Sequence, residues 1–248
     1  MIVLKSDRAI AAMRKAGRIV AEVQAKIAEA IRPGVSTLEL DQLAEDYLRS
    51  CGAAPSFKGY RGYPKSICAS INEEVVHGIP GERRLKEGDI ISIDVGAYID
   101  GYHGDATRTY GVGEISPEAQ RLIEATAGAL EAGISAAVPG GRLGDISHSI
   151  QSFAEAAGYG VVRDFVGHGI GTQMHEDPQV PNFGLPNRGP RLKPGLVLAI
   201  EPMLTMGDYR VRILEDNWTV VTLDGSLCAH FEDTVAILGD GPEVLTRL

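Results

Sequence analysis

The chain has 248 residues, 44% apolar and 23% charged, with a net charge of −9, which is ordinary for a globular protein and long enough to bury a sizeable core. That acidic balance excludes nucleic acid as the main partner: binding a phosphate backbone needs clustered Lys and Arg, and the most basic stretch, KGYRGYPK (58–65), is short. Three cysteines (Cys51, Cys68, Cys228) with no C-x-x-C pair point to a reducing compartment, and no run approaches the ~20 apolar residues of a membrane span. The opening MIVLKSDRAI turns polar too early for a signal peptide, so a cytoplasmic location is expected.

From Ser6 to Ile31, apolar residues at Ile10, Met13, Val20, Val23, Ile27 and Ile31 form a helical stripe, with Ser6 as N-cap. STLELDQLAEDYLRSCG (36–52) is a second amphipathic helix closing on Gly52. VVHGIP (75–80) then carries His77, LKEGDIISIDVG (85–96) reads as a strand bearing Asp94, and GDATRTYGVG (104–113) brings Asp105. The same order begins again at Ser116, a cap followed by Pro117 and a stripe of Leu122, Ile123, Thr126, Leu130 and Ile134. RLGDISHSIQSFAEAAG (142–158) closes on Gly158, VGHGIG (166–171) carries His168, LKPGLVLAIEPM (192–203) ends a strand at Glu201, and FEDTVAILGDG (231–241) brings Glu232. Each long helix stops before a Pro-Gly, Pro33-Gly34 and Pro139-Gly140.

Helix, helix, His-Gly, acidic strand, acidic strand: this order in both halves predicts one domain, 1–248, built from two repeats, about 1–113 and 114–248. The expected class is α+β, two pseudo-two-fold-related halves with antiparallel sheet inside and four helices outside. Leu85/Leu192, Gly88/Gly195 and Ile93/Ile200 align at an offset of 107 residues, which sets Asp94 opposite Glu201. Asp105 lines up with Glu232, and His77 with His168. An ionised carboxylate at the end of a buried strand costs roughly several kcal/mol unless something replaces its hydration. Four carboxylates converging on the two-fold axis carry about −4, which two divalent cations cancel and one does not. Carboxylates with an imidazole suit Mn²⁺, Fe²⁺, Co²⁺ or Zn²⁺, and a pair of such ions ~3.5–4 Å apart acidifies a bridging water and polarises a carbonyl. Taken singly, each acid reads as a strand-end carboxylate and each histidine as a turn residue. As a duplicated set they read as a metal site.

FVGHGIGTQMHEDPQVPNF, SIDVGAYIDGYHGDATRT, LAIEPM, HFEDTVAIL and KGYRGYPKSICASINEEVVHGIP together resemble the bacterial type I methionine aminopeptidases of the pita-bread metallopeptidase family, over essentially the whole chain. The resemblance implies two divalent ions held by Asp94, Asp105, His168, Glu201 and Glu232, with Asp105 and Glu232 bridging. It implies Glu201 as proton shuttle, with His77 and His175 facing the substrate. Repeat position alone would instead make His77 a ligand like His168. The implied reaction removes the initiator methionine from nascent polypeptides when the next residue is small. The implied methionine pocket is walled by Tyr60, Tyr63, Cys68, Met174 and Trp218, with Phe57 beside them. Met174 stands where many relatives have Phe, and Cys228 where some carry Ser near an auxiliary monovalent-cation site. A monomer is expected, with transient ribosome contact, and a catalytic unit starting without the zinc-binding extension of some type I enzymes. Pro178, Pro181, Pro186 and Pro190 predict a stiff loop over 176–191 at the cleft rim. The rival readings are a Pro-specific aminopeptidase or dipeptidase of the same fold, and a non-catalytic binding protein built on it.

Overall fold

The computed structural model describes residues 1–248. Its first half runs α1 (Asp7–Ala30), α2 (Thr37–Ser50), β1 (Ala54–Pro55), β2 (Ile67–Ile71), β3 (Glu74–Val76), β4 (Ile90–Ile99) and β5 (Tyr102–Gly111). The second runs α3 (Pro117–Ala136), α4 (Leu143–Ala156), β6 (Gly160–Val161), β7 (Gly167–Gly169), β8 (Glu176–Val180), β9 (Val197–Ile200), β10 (Met203–Thr205), β11 (Val211–Ile213), β12 (Val220–Thr222), β13 (Cys228–His230), β14 (Asp233–Ile237) and β15 (Pro242–Val244). The helices start where the caps place them. Ser6 Oγ accepts from the Ala9 amide, Ser36 and Glu39 form a reciprocal capping box, and Ser116 Oγ accepts from Ala119 with Pro117 in the first turn.

Every strand pairing is antiparallel, and the ladders group into four sheets. Two apolar cores follow the halves. One packs Val20, Val23 and Ile27 of α1 and Leu40 and Leu48 of α2 against Ile91, Ile93 and Val95 of β4. The other packs Leu122 and Leu130 of α3 and Ile146 and Ile150 of α4 against Leu198 and Ile200 of β9. The predicted loop over 176–191 is only partly a loop: Glu176–Val180 pair with β7 as β8, because Pro178 sits where an edge strand tolerates a missing N–H.

The halves meet on a two-fold axis that can be read from hydrogen bonds. Thr107 and Glu232 exchange backbone bonds, N–H to O at 3.3 Å and 3.0 Å. On one side, Thr234 Oγ1 accepts from the Asp105 amide and donates to the Asp105 carbonyl. On the other, Thr109 Oγ1 does the same with the His230 amide and carbonyl. The symmetric pairs are therefore Thr107 with Glu232, Thr109 with Thr234, and Asp105 with His230. Gly88 donating to Val112 and Gly195 donating to Ile237 repeat the relation farther along the same hairpins.

This register keeps one expected equivalence and corrects two. Asp94 and Glu201 correspond, since Asp94 lies opposite Thr107 while Glu201 lies opposite Glu232 in the ladder that sets Ile200 against Asp233. Asp105 corresponds to His230 rather than to Glu232: sequence alignment slips by two residues, a step that leaves side chains on the same face and so preserves the apolar pattern. His168 lies opposite Ala199, whose counterpart Ser92 lies opposite Ser70, so His168 corresponds to Ser70 and not to His77. The two His-Gly motifs are not symmetry mates.

α1 rides close on β5 because both contact points are glycines. A Cβ on Gly104 would lie 2.7 Å from the Gly17 nitrogen, and one on Gly17 would lie 2.2 Å from the Leu245 carbonyl oxygen. Gly17→Ala should therefore destabilise the protein by about 1–3 kcal/mol by urea unfolding, overpacking outweighing the ~1 kcal/mol gain in helix propensity. A stabilised variant would contradict this contact.

Candidate active site

The axis gathers the acidic side chains at the floor of a cavity of about 140 Å³. Across the seam the order is Asp94 on β4, Thr107 on β5, Glu232 before β14 and Glu201 after β9. Thr107 Oγ1 donates to Glu232 Oε2 at 2.9 Å, tying the two halves side chain to side chain. Pro202 interrupts the second-half hairpin just past Glu201, since it has no N–H to give the ladder. Asp105, His168 and Glu232 are buried and bring ligand-type atoms within 4.8 Å of one another. Glu201 Oε1 lies 3.6 Å from His168 Nε2, and Asp105 Oδ2 lies 3.9 Å from it.

The electrostatics are those of clustered carboxylates with no basic side chain paired to them. Burial pushes the Asp94 carboxyl up to about 7. Burial first, then neighbouring carboxylates, hold Asp105, Glu201 and Glu232 well above the ordinary range. The nearby guanidinium does not help, because Arg108 is committed to the buried Asp233 and to the Glu232 carbonyl. Asp94 Oδ1, Asp105 Oδ1 and Glu232 Oε1 are buried with no hydrogen-bond partner. His168 Nδ1 lies 3.0 Å from the Gly169 carbonyl, so it carries the ring proton and leaves the Nε2 lone pair turned toward carboxylate oxygens. Burial lowers this imidazole to about 3, so it is neutral. A lone pair facing anionic oxygens at 3.6–3.9 Å is repulsive without a cation between them. Three orphaned carboxylate oxygens and a neutral imidazole nitrogen fit a hard or borderline divalent ion.

The rest of the cavity is apolar and aromatic. Cys68 lies opposite Asp94 on the neighbouring strand, so the pocket wall begins where the acidic floor ends. Phe57, Tyr63, Cys68 and Met174 share one apolar cluster, with Tyr60 and Trp218 packed against it. Trp218 meets the Tyr63 ring edge-on at 5.0 Å. His77, held at φ 61°, lines the cavity with its ring edge-on to Phe165 and Trp218, and lies outside the cluster formed by Asp105, His168 and Glu232. His175 stacks on Tyr60, accepts or shares a hydrogen bond with its hydroxyl at 2.9 Å, and sits 4.2 Å from the His168 ring. The packed faces of His77 and His175 lower each to about 4, chiefly by burial.

All twelve residues singled out from the sequence, and Phe57, line this one cavity. Arg61 lines it too and was not singled out, though it stands within the basic stretch noticed first. Thr107 and His230 were also missed. His230 stands two residues before Glu232 in HFED, where nothing in the sequence distinguishes it from a strand histidine.

Comparison with known proteins bears on this geometry. The model of metallopeptidase family M24 matches residues 11–238. A methionine aminopeptidase of Clostridium acetobutylicum is 59% identical over 247 residues, covering 99% of each chain. The crystal structure of a methionine aminopeptidase from Thermotoga maritima superposes with a TM-score of 0.99 at 47% identity, covering 100% of both chains. A prolidase from Pyrococcus furiosus shares the fold alone, at a TM-score of 0.82 and 24% identity over 99% of this chain and 66% of its own. These full-length matches carry the pita-bread fold, with its antiparallel ladders and four outer helices, and the chain belongs to metallopeptidase family M24, among its bacterial methionine aminopeptidases.

Proposed function

We propose that this chain is a metal-dependent aminopeptidase that removes the initiator methionine from new polypeptides when the following residue is small. The observation that carries the reading is one cavity with two unlike ends: an acidic floor with orphaned oxygens, and an apolar slot beginning at Cys68, beside Asp94. An unbranched thioether suits a slot built from Tyr63, Cys68, Met174 and Trp218. In this reading Asp94, Asp105, His168, Glu201 and Glu232 would hold two divalent cations (Mn, Fe, Co or Zn). When bound, such ions supply Lewis-acid polarisation of the scissile carbonyl and a water acidic enough to be a nucleophile near neutral pH.

The chain's own residues do the rest. Glu201 takes the proton of the attacking water and passes it to the departing amide nitrogen. With Tyr60 donating to Nδ1, neutral His175 keeps its proton on Nε2, where it donates to the carbonyl oxygen as negative charge develops. His77, which lines the same cavity, makes a second donor contact. The substrate's remaining chain leaves through the mouth beside exposed Arg61. The partners in this reading are nascent polypeptide N-termini, met by a cytoplasmic monomer with transient ribosome contact. No helix is long and apolar enough to cross a membrane.

Metal-reconstituted protein should cleave Met-Ala-Ser and Met-Gly peptides and leave Met-Leu and Ala-Pro peptides largely intact. Efficient Ala-Pro cleavage with none of Met-Ala would favour the prolidase-like alternative. His168→Ala should lose metal and rate together, whereas His175→Ala and His77→Ala should keep metal near wild type. His175→Ala should also lose about 10²–10³ in kcat, the usual cost of one preorganised donor. Metal analysis beside turnover decides each case. Thr107→Val, which removes the donor to Glu232 Oε2, should weaken Mn²⁺ binding by about 10- to 100-fold in calorimetry, and unchanged affinity would rule out that contact as an orienting one.

A further inference from the structure

His230 occupies the symmetry counterpart of Asp105, flanking the acidic row from the opposite side. Its ring is 3% exposed, and Nε2 has no hydrogen-bond partner. That nitrogen lies 3.7 Å from Glu201 Oε2, while the other oxygen, Oε1, lies 3.6 Å from His168 Nε2. The two oxygens of Glu201 thus face two different imidazoles. The backbone of His230 is clamped through both its amide and its carbonyl by Thr109 Oγ1, so the ring is delivered to Glu201 from a fixed point. The backbone of Glu201 is clamped as well, its carbonyl accepting from Asn182 Nδ2 at 3.0 Å.

We propose that His230 is a positioning residue for Glu201: its Nε2–H donates to Glu201 Oε2 and so commits Oε1, on the His168 side, to the cation. This rests on the metal-holding role proposed for Glu201. Two chemical reasons favour it. A buried imidazole nitrogen with no partner costs free energy unless a partner arrives, and Glu201 Oε2 is the acceptor it faces within a short carboxylate rotation. A carboxylate free to rotate also presents either oxygen to the ion, so fixing one sharpens the ligand and leaves the fixed oxygen's remaining lone pair to receive a proton from water. The symmetry supplies the rest. At the same position the first half places an acid, Asp105, beside the metal-type cluster, and the second half places a donor instead. One more carboxylate there would deepen the repulsion already raising its neighbours.

The test uses His230→Gln, which keeps an N–H donor at similar reach, His230→Leu, which keeps bulk without a donor, and His230→Asn, which keeps a donor too short to reach. Calorimetric titration with Mn²⁺, Met-Ala-Ser kinetics and melting of the metal-free protein are measured for each. His230→Leu and His230→Asn should bind Mn²⁺ about 10- to 100-fold more weakly with lower kcat and little change in KM, and His230→Gln should recover most of both. Metal-free His230→Leu should melt below wild type, since Glu201 Oε2 loses its donor, and metal-free His230→Gln should melt near wild type. Wild-type affinity in His230→Leu, or a His230→Gln as impaired as His230→Asn, would overturn the proposal. Should wild type itself bind no Mn²⁺, the metal-holding reading of Glu201 falls, and this inference with it.

Discussion

Two backbone hydrogen bonds exchanged between Thr107 and Glu232 set the register in which the molecule's two halves form one site. Each half has its own apolar core under its own pair of helices, and neither core by itself brings acids from both halves together. The seam does so by placing β5 against the β13–β14 segment about a two-fold axis. Asp94 and Glu201 then end up at opposite ends of one short row. The helices serve this seam from outside, with Gly17 and Gly104 letting α1 settle onto the strand that carries Asp105. The arrangement is costly without a counter-charge, because it gathers four carboxylates, with Asp105 and Glu232 buried, and gives none of them a lysine or arginine. In the proposed reading, stability and chemistry therefore depend on the same ions.

Symmetry builds the charged floor, and its failure builds the specificity. Between Asp94 and Asp105 the chain turns directly from β4 into β5. Between Glu201 and Glu232 it detours through β11 and β12, and β12 pairs with β3 of the first half. That detour carries Trp218 onto Tyr63 and beside His77. A second asymmetric stretch, between His168 and Glu201, carries Met174 and His175 to the same cavity. Met174 and Trp218, two of the residues that would read the substrate's side chain, thus come from segments with no counterpart. A duplicated fold can keep its charged centre on the axis and diverge in the excursions around it.

Much of this was legible in the sequence, for identifiable reasons. Caps at Ser6, Ser36 and Ser116 act within one turn, so they survive translation into structure unchanged. The matched Leu-Lys-x-Gly segments located the equivalent strands because Gly88 and Gly195 both take left-handed backbone, at φ 87° and 91°. The cavity lining was legible mainly through family likeness. What the sequence could not show was register between segments far apart in the chain. Aligning Asp105 with Glu232, or one His-Gly with the other, costs nothing in local pattern, whereas the true pairs are fixed by cross-chain bonds to Thr234 and Thr109. Residues whose roles exist only through such bonds, Thr107 and His230, were invisible for the same reason.

In the proposed reading, the two-fold axis assembles a charge cluster that is unstable by itself and stabilised by cations. Unfolding free energies of wild type and Asp105→Asn, each measured with chelator and with excess Mn²⁺, test it most directly. Asp105 is buried, with Oδ1 unpartnered, so replacing it with a neutral amide removes repulsion and little else. The prediction is that Asp105→Asn equals or exceeds wild type in chelator. Wild type should then gain strongly on adding Mn²⁺, as binding to the folded state alone requires, while the variant gains much less. An Asp105→Asn protein that is weaker than wild type in chelator, or that gains as much from Mn²⁺, would contradict the claim.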